Sequence, residues 1–336
     1  MSSIEIKKVS SRKDLKAFVD FHYDLYENCP YDVPTLFSDD MNTLSPEKNA
    51  AFDFCDAEYY LAYKDGKLAG RVAAIINKRA NQKWGRQSVR FGWIDFIDDI
   101  EVSKALLKAV EDFGRRNGMK EVVGPLGFTD MDPEGMLTWG FDKLGTMATI
   151  YNYPYYPQHI EKMSGWEKDN DYVEFYMEVP DKVPEKYTRI AEMVEKRYNL
   201  HVKKLTRREV LKENYGKKLF DIINRTYGDL YGFVSLTDKQ IDQYVKMYFP
   251  LADLNLITVI VDGNKNDEPV GMGITIPSLS HALKKCHRGR LLPFGWWHLL
   301  RAIKWHKTDG VDLLLIGFLP EYRAKGANAL LFSDLI

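Results

Sequence analysis

A hairpin occurs twice in this chain, and the repeat limits what the chain can fold into. Tyr59 to Tyr63 is an apolar, aromatic strand, and Lys64-Asp65-Gly66-Lys67 is a turn. Leu68-Ala69-Gly70 then leads into a second strand, Arg71 to Ile76. Far downstream, Leu256 to Val261 is rich in β-branched residues. The turn Asp262-Gly263-Asn264, extended through Asn266-Asp267, follows it, and then Pro269-Val270-Gly271 and the strand Met272 to Ile276. Upstream of each hairpin, apolar residues recur at helical spacing: Leu15, Phe18, Phe21, Leu25 and Tyr26 in one half, Leu219, Ile222, Ile223, Tyr227 and Leu230 in the other. Downstream of each comes a strand, Val89 to Ile97 and Asp312 to Leu319, and then a helix. Helix, hairpin, strand, helix, read twice, predicts an α+β chain of two related domains.

Tyr172 to Val179 alternates as a strand and then meets Pro180 and Pro184, which cannot continue a central strand. The expected boundary lies there, giving domains of residues 1–180 and 181–336, and 336 residues at about 150 per domain agree with two. The Pro- and Tyr-rich stretch Tyr151 to Pro157 reads as a loop inside the first half.

Composition removes several classes of function. Hydrophobic residues at 45% and charged residues at 28% exclude wholesale disorder. Lys+Arg 47 against Asp+Glu 48 gives a net charge of −1, so the balance calls for neither nucleic acid nor membrane as the main partner. The opening Met-Ser-Ser-Ile-Glu-Ile-Lys-Lys has no stretch apolar enough for a signal peptide. The longest apolar run, around Leu313 to Leu319, is far short of the roughly 20 residues of a membrane helix. Cys29, Cys55 and Cys286 are odd in number and widely spaced, which fits reduced thiols in a cytoplasm.

The strongest chemical signal runs from Leu314 to Leu331. A strand ends at Pro320; a short loop carrying Arg323, Lys325 and Gly326 follows, and then an apolar helix. The first amides of a helix lack internal partners and lie at the positive end of its dipole. Glycine allows close approach to the backbone, and the basic side chains add charge. The pattern is that of a phosphate or pyrophosphate site.

This stretch resembles the acyl-coenzyme A loop of the GCN5-related N-acetyltransferase superfamily, Arg/Gln-x-x-Gly-x-Gly/Ala after a strand. The match is Arg323-Ala-Lys-Gly326-Ala-Asn328, with Asn at the last position in place of Gly or Ala. The preceding Leu-Pro-Glu-Tyr-Arg is also similar. The resemblance implies two acyl-CoA N-acyltransferase-like domains, each a twisted, mostly antiparallel sheet flanked by helices, as in a bacterial group of tandem proteins. It implies acetyl-CoA or another acyl-CoA as a substrate, held by Phe318, Leu319, Arg323, Ala324, Lys325, Gly326, Ala327 and Asn328, with no metal. The implied activity is acyl transfer to a small-molecule amine or peptide acceptor, without nucleic acid, in a cytoplasmic protein for which a homodimer is an option.

By the same resemblance, the first half passes through the superfamily's order of elements. Its strand at Val89 leads to a helix, Val102 to Arg116, and then to Glu121-Val122-Val123. A short helix near Gln158 to Met163, then Gly165-Trp166, precedes a closing strand, Tyr172 to Val179. Its equivalent loop is Ile97-Asp98-Asp99-Ile100-Glu101, whose carboxylates answer the helix dipole themselves and repel a pyrophosphate. The first half is therefore expected to be a degenerate scaffold or a wall of the substrate site. The second half stops at Ile336 inside its helix, which reads as a truncated domain.

Catalytic residues are not assigned. The strand next to the loop offers Ile316, Gly317 and Phe318, none titratable, and Asp312 at its far end is expected at the surface. Two other functions stay open: a non-catalytic binding protein of the same fold, and an aminoacyl-tRNA-dependent peptidyltransferase.

An insertion, Ser278 to Lys307, interleaves basic side chains with Trp296, Trp297 and Trp305. It could meet an anionic lipid, a membrane surface or single-stranded nucleic acid. The favoured reading is a helix, Phe294 to His306, with Trp297, Leu300 and Ile303 toward the core, in a segment that sets acceptor specificity. His281, Cys286 and His287 lack the spacing of a zinc site. Gly271-Met-Gly273 enters a strand, so it is no dinucleotide fingerprint.

Overall fold

A computed structural model describes residues 3–249 and 252–336; Met1 and Ser2, which open the stretch read above for a signal peptide, lie outside it. Two compact units result: Met1–Tyr172 with Leu279–Leu300, and Val173–Ser278 with Arg301–Ile336.

In the first unit, the turn between β2 (Cys55–Lys64) and β3 (Lys67–Asn77) has Asp65 at φ 49° and Gly66 at φ 78°. Two successive positive φ angles match the twist of the flanking strands, which is why Asp-Gly closes hairpins. β1 (Ile4–Lys8) precedes α1 (Arg12–Leu25) and α2 (Phe37–Thr43). After β3 come α3 (Lys78–Trp84), β4 (Ser88–Phe96), α4 (Ile100–Arg116), β5 (Glu121–Val123) and α5 (Tyr155–Glu161). The sheet order is β1-β2-β3-β4-β5, antiparallel except for β5, which runs parallel to β4 with Ser88 opposite Glu121. Alternate residues of the hairpin feed two cores. Tyr60, Val72, Ala74 and Ile76 pack with Val102, Leu106, Val110 and Phe113 of α4. Tyr59, Leu61, Ala73 and Ile75 pack with Phe18 and Val19 of α1. Each large side chain buried this way contributes about 1.5–3 kcal/mol, and a helix on each face gives a three-layer unit.

The second unit has α6 (Glu185–Tyr198), β6 (Leu200–Lys203), α7 (Arg207–Lys212), α8 (Tyr215–Thr226), α9 (Asp238–Tyr248), β7 (Ile257–Asp262) and β8 (Glu268–Pro277). The chain then passes through α10 (Ser280–Lys284) and α11 (Gly295–Trp305) before β9 (Val311–Phe318), α12 (Pro320–Arg323) and α13 (Asn328–Leu335). The sheet order is β6-β7-β8-β9, antiparallel throughout. Here the positive-φ pair of the hairpin is Asn266 (54°) and Asp267 (56°). The Asp262 carboxylate accepts from the Asn264 amide at 2.9 Å, so Asp262-Gly263 opens the loop and Asn266-Asp267 closes it. The expected architecture is present: α+β, with two twisted, mostly antiparallel sheets flanked by helices.

Tyr172 to Val179 departs from expectation. It forms no strand, and Phe175 and Tyr176 are 80% and 91% exposed. Alternation fits a pleat, but a strand also needs an edge to pair with, and neither sheet takes this segment. Residues 279–300 pack within the first unit although the sequence embeds them in the second half. Lys284 Nζ donates to the carbonyls of Cys29 and Asp32 at 3.0 and 2.9 Å, and Arg290 pairs with Asp20 at 2.9 Å.

Candidate functional site

The strand-to-helix corner at the end of β9 is built from backbone. The Leu319 amide closes the sheet by donating to the Val270 carbonyl at 2.9 Å, and Pro320 then starts α12. After Arg323 the chain turns through Gly326, at φ 76°, into α13. The amides of Ala329 and Leu330 reach back to the carbonyls of Gly326 and Ala327 at 3.0 and 3.1 Å. No side chain caps α13. Among the described residues, the amides of Gly326, Ala327 and Asn328 meet no acceptor. Three consecutive free donors at a helix start can receive an anion.

The residues expected around a pyrophosphate divide by environment. Leu319 and Ala327 are core residues, 3% and 1% exposed. Arg323, Ala324 and Asn328 are exposed, while Phe318, Lys325 and Gly326 are half-buried. Arg323 braces the corner: its Nε donates to the Phe318 carbonyl and its Nη2 to the Thr226 carbonyl, both at 3.1 Å. Lys325 Nζ sits 4.1 Å from the Tyr322 ring centroid and 5.5 Å from that of Tyr198. Tyr322 is held in turn by its hydroxyl, which donates to Asp262 Oδ2 at 2.7 Å.

Gly326 is required by its backbone angle. A Cβ there would meet Val194 and Ile190 of α6 at 3.4 and 3.5 Å, an ordinary contact, so crowding does not demand glycine while the positive φ does. The same helix carries Arg189, Glu192, Met193, Lys196 and Arg197 around a shallow depression of about 490 Å³. Three cations against one carboxylate make this surface basic, on a face of the helix other than the one Ile190 and Val194 turn to Gly326.

The end of β9 next to the corner, Ile316 to Phe318, carries no titratable side chain. Ile316 is engaged on both sides of its peptide by one phenol: its amide donates to Tyr227 Oη at 3.1 Å, and Tyr227 Oη donates to its carbonyl at 3.0 Å. Asp312 is half-buried rather than at the surface as the sequence suggested, and burial raises its pKa above the usual carboxylate range.

The corresponding corner of the first unit is closed. Asp99 caps α4, its carboxylate accepting from the Glu101 amide at 2.9 Å and pairing with Lys64. Asp98 is bound to His159 Nε2 at 3.1 Å. Behind this corner lies a buried constellation that sequence reading missed. Asp95 on β4 receives Arg71 Nε at 2.7 Å, faces His22 Nδ1 at 3.1 Å and accepts the Tyr156 hydroxyl at 3.0 Å. His22 Nε2 also faces Asp32 at 3.4 Å. Burial disfavours the imidazolium, but Asp32 and Asp95 outweigh it and push the His22 pKa up to about 10. Burial likewise disfavours ionised Asp95, yet Arg71 and His22 hold its pKa down at about 2. Groups so poised exchange no protons near neutral pH, so the cluster holds structure rather than acting as an acid or base.

Among the described residues, no group of three or more His, Cys, Asp or Glu is placed to hold a metal ion. Nor is any helix long and apolar enough to cross a membrane.

No protein-family model matches the chain. It is 27% identical over 321 residues to Protein YghO of Escherichia coli (strain K12), covering 95% of this chain and 79% of that protein. It is 25% identical over 343 residues to Bacterial ceramide synthase of Caulobacter vibrioides (strain NA1000 / CB15N), covering 98% of this chain and 84% of that protein. Among solved structures it is similar to a tandem GNAT protein from the clavulanic acid biosynthesis pathway, at 11% identity and a TM-score of 0.47, over 98% of this chain and 83% of that one.

Proposed function

We propose that the second unit binds an acyl-coenzyme A at the β9–α13 corner and transfers its acyl group to an amine. The observation that carries this reading is the run of unpartnered amides at Gly326, Ala327 and Asn328. Unpartnered amides at a helix start are donors that a pyrophosphate can take up. Lys325 supplies positive charge at the same corner. With no titratable residue at the end of β9, rate acceleration rests on placing thioester and amine together, a source that reaches about 7–11 kcal/mol in well-oriented systems. The free amine attacks the thioester carbonyl, the amide bond forms, and coenzyme A leaves as the thiol.

The similarity to a ceramide synthase favours a long-chain amino alcohol as acceptor, because a ceramide is the amide of a fatty acid with such an amine. Calorimetric titration of the whole chain with acetyl-coenzyme A and with a long-chain acyl-coenzyme A tests the first step. Thiol release in the presence of sphinganine tests the second. Absence of heat at millimolar coenzyme overturns the reading.

A second reading, a binding protein that has kept the fold without the chemistry, is favoured by the absence of a titratable residue at the corner end of β9 and by the self-capped Asp99 corner. Coenzyme binding without thiol release over a broad amine panel would select it.

A further inference from the structure

The segment between Ser278 and Lys307 has a charge unlike the rest of the chain. It contains seven Lys or Arg and no Asp or Glu, in a protein whose overall charge is −1. Three of those cations hold the segment in place. Lys284 binds the Cys29 and Asp32 carbonyls, Arg288 pairs with Asp20 and Asp24, and Arg290 pairs with Asp20. The other four, Lys285, Arg301, Lys304 and Lys307, are exposed.

The tip of the segment inverts the usual partition of apolar residues. Leu292 and Phe294 are 77% and 71% exposed, and Trp296 and Trp297 are 47% and 43% exposed. Trp297 therefore does not face the core as the sequence suggested. The tip is nonetheless well fixed. The Trp296 amide donates to the Leu291 carbonyl at 2.9 Å, the Trp297 amide to the Phe294 carbonyl at 3.1 Å, and Gly295 between them is buried. Along α11, Leu299 and Ala302 are buried while Trp297, Arg301, Lys304 and Trp305 are exposed, so the outer face joins indole to cation at helical spacing.

We propose that this tip, Leu291–Trp297, with the outer face of α11, is a docking surface for an anionic lipid bilayer. Clustered large apolar side chains on a fixed loop are costly in water and mark a contact surface. Tryptophan is suited to the headgroup boundary, where its ring is apolar and its N–H stays wet. Exposed Lys and Arg beside such a tip are attracted to anionic headgroups, and the segment itself carries no carboxylate, the acidic groups that meet it being Asp20 and Asp24 at Arg288 and Arg290 and Asp253 at His306. The mode is interfacial: the tip enters the boundary layer without crossing it. This inference stands independently of the acyl-transfer reading.

Co-sedimentation of the whole chain with phosphatidylglycerol–phosphatidylcholine vesicles, and with phosphatidylcholine alone, tests it. The expected result is sedimentation with the anionic vesicles that weakens as salt rises, with a blue shift of tryptophan fluorescence. Leu292→Asp with Phe294→Asp should lower vesicle affinity about tenfold or more. Because both side chains are exposed, the circular dichroism spectrum and melting temperature of that variant should match the parent protein. Lys304→Glu should weaken binding to anionic vesicles and leave binding to neutral ones unchanged. The proposal is overturned if the parent protein stays in the supernatant at low salt, or if the Leu292–Phe294 variant sediments equally. It is also overturned if single-stranded RNA is retained where vesicles are not.

Discussion

The Asp95 carboxylate receives Arg71 Nε at 2.7 Å inside the first unit, where both residues are at most 5% exposed. Register brings them together, since β3 and β4 place Arg71 directly opposite Asp95. Removing one member of a buried charge pair leaves the other uncompensated, at about 3–5 kcal/mol. Asp95→Asn should therefore lower unfolding free energy by about that amount in a urea titration; a loss near zero would mean the pair is not formed in solution.

The same cluster sets a pH profile for stability. The His22 pKa is raised from 6.5 to about 10 in the folded chain, so its contribution is complete below pH 6.5 and is lost as pH rises toward 10. The Asp95 pKa is lowered from 3.8 to about 2, so its contribution is present above pH 3.8 and is lost as pH falls toward 2. Melting temperature against pH should show a plateau between these limits. His22→Gln should remove much of the alkaline decline and also shrink the acid limb, because His22 is one of the two groups that hold the Asp95 pKa down.

Gly326 separates backbone strain from ligand binding. Gly326→Ala should cost about 1–2 kcal/mol, because a Cβ is unfavourable in the left-handed region. Gly326→Asp adds a carboxylate beside the free amides and should weaken acetyl-coenzyme A binding by tenfold or more beyond the alanine variant. Equal affinities for the two variants in calorimetry would place the coenzyme elsewhere.

Arg323 and Lys325 should behave differently although they are two residues apart. Arg323 holds two main-chain carbonyls, so Arg323→Met should lower the melting temperature. Lys325 stacks on two tyrosine rings and is available to an anion. Lys325→Gln should raise the dissociation constant for coenzyme A about tenfold and flatten its salt dependence, with little change in melting temperature.

Both hairpins were legible from alternation and turn residues, because each signal is local. The β9–α13 corner was legible for a related reason, since Pro320 and Gly326 punctuate the chain within a few residues. What the corner's side chains do was not legible. In the sequence Arg323 reads only as a phosphate ligand; that its guanidinium also braces the corner could not be read, because its partner Thr226 is 97 residues away. The His22–Asp95–Tyr156 cluster left no pattern for the same reason: its members come from a helix, a strand and a second helix, joined only by the fold. Tyr172 to Val179 has the right alternation for a strand, but the availability of a sheet edge is not written in the segment itself.

Leu279–Leu300 folds with the first unit while the chain on either side of it belongs to the second. The polypeptide therefore passes between the units three times, and neither can be cut out as one uninterrupted stretch. A recombinant piece covering residues 181–336 would carry Ala282, Leu283 and Cys286 without the neighbours that cover them, and would be prone to clump. Limited proteolysis in the exposed stretch after Tyr172 should accordingly yield two fragments that stay together until denaturant is added.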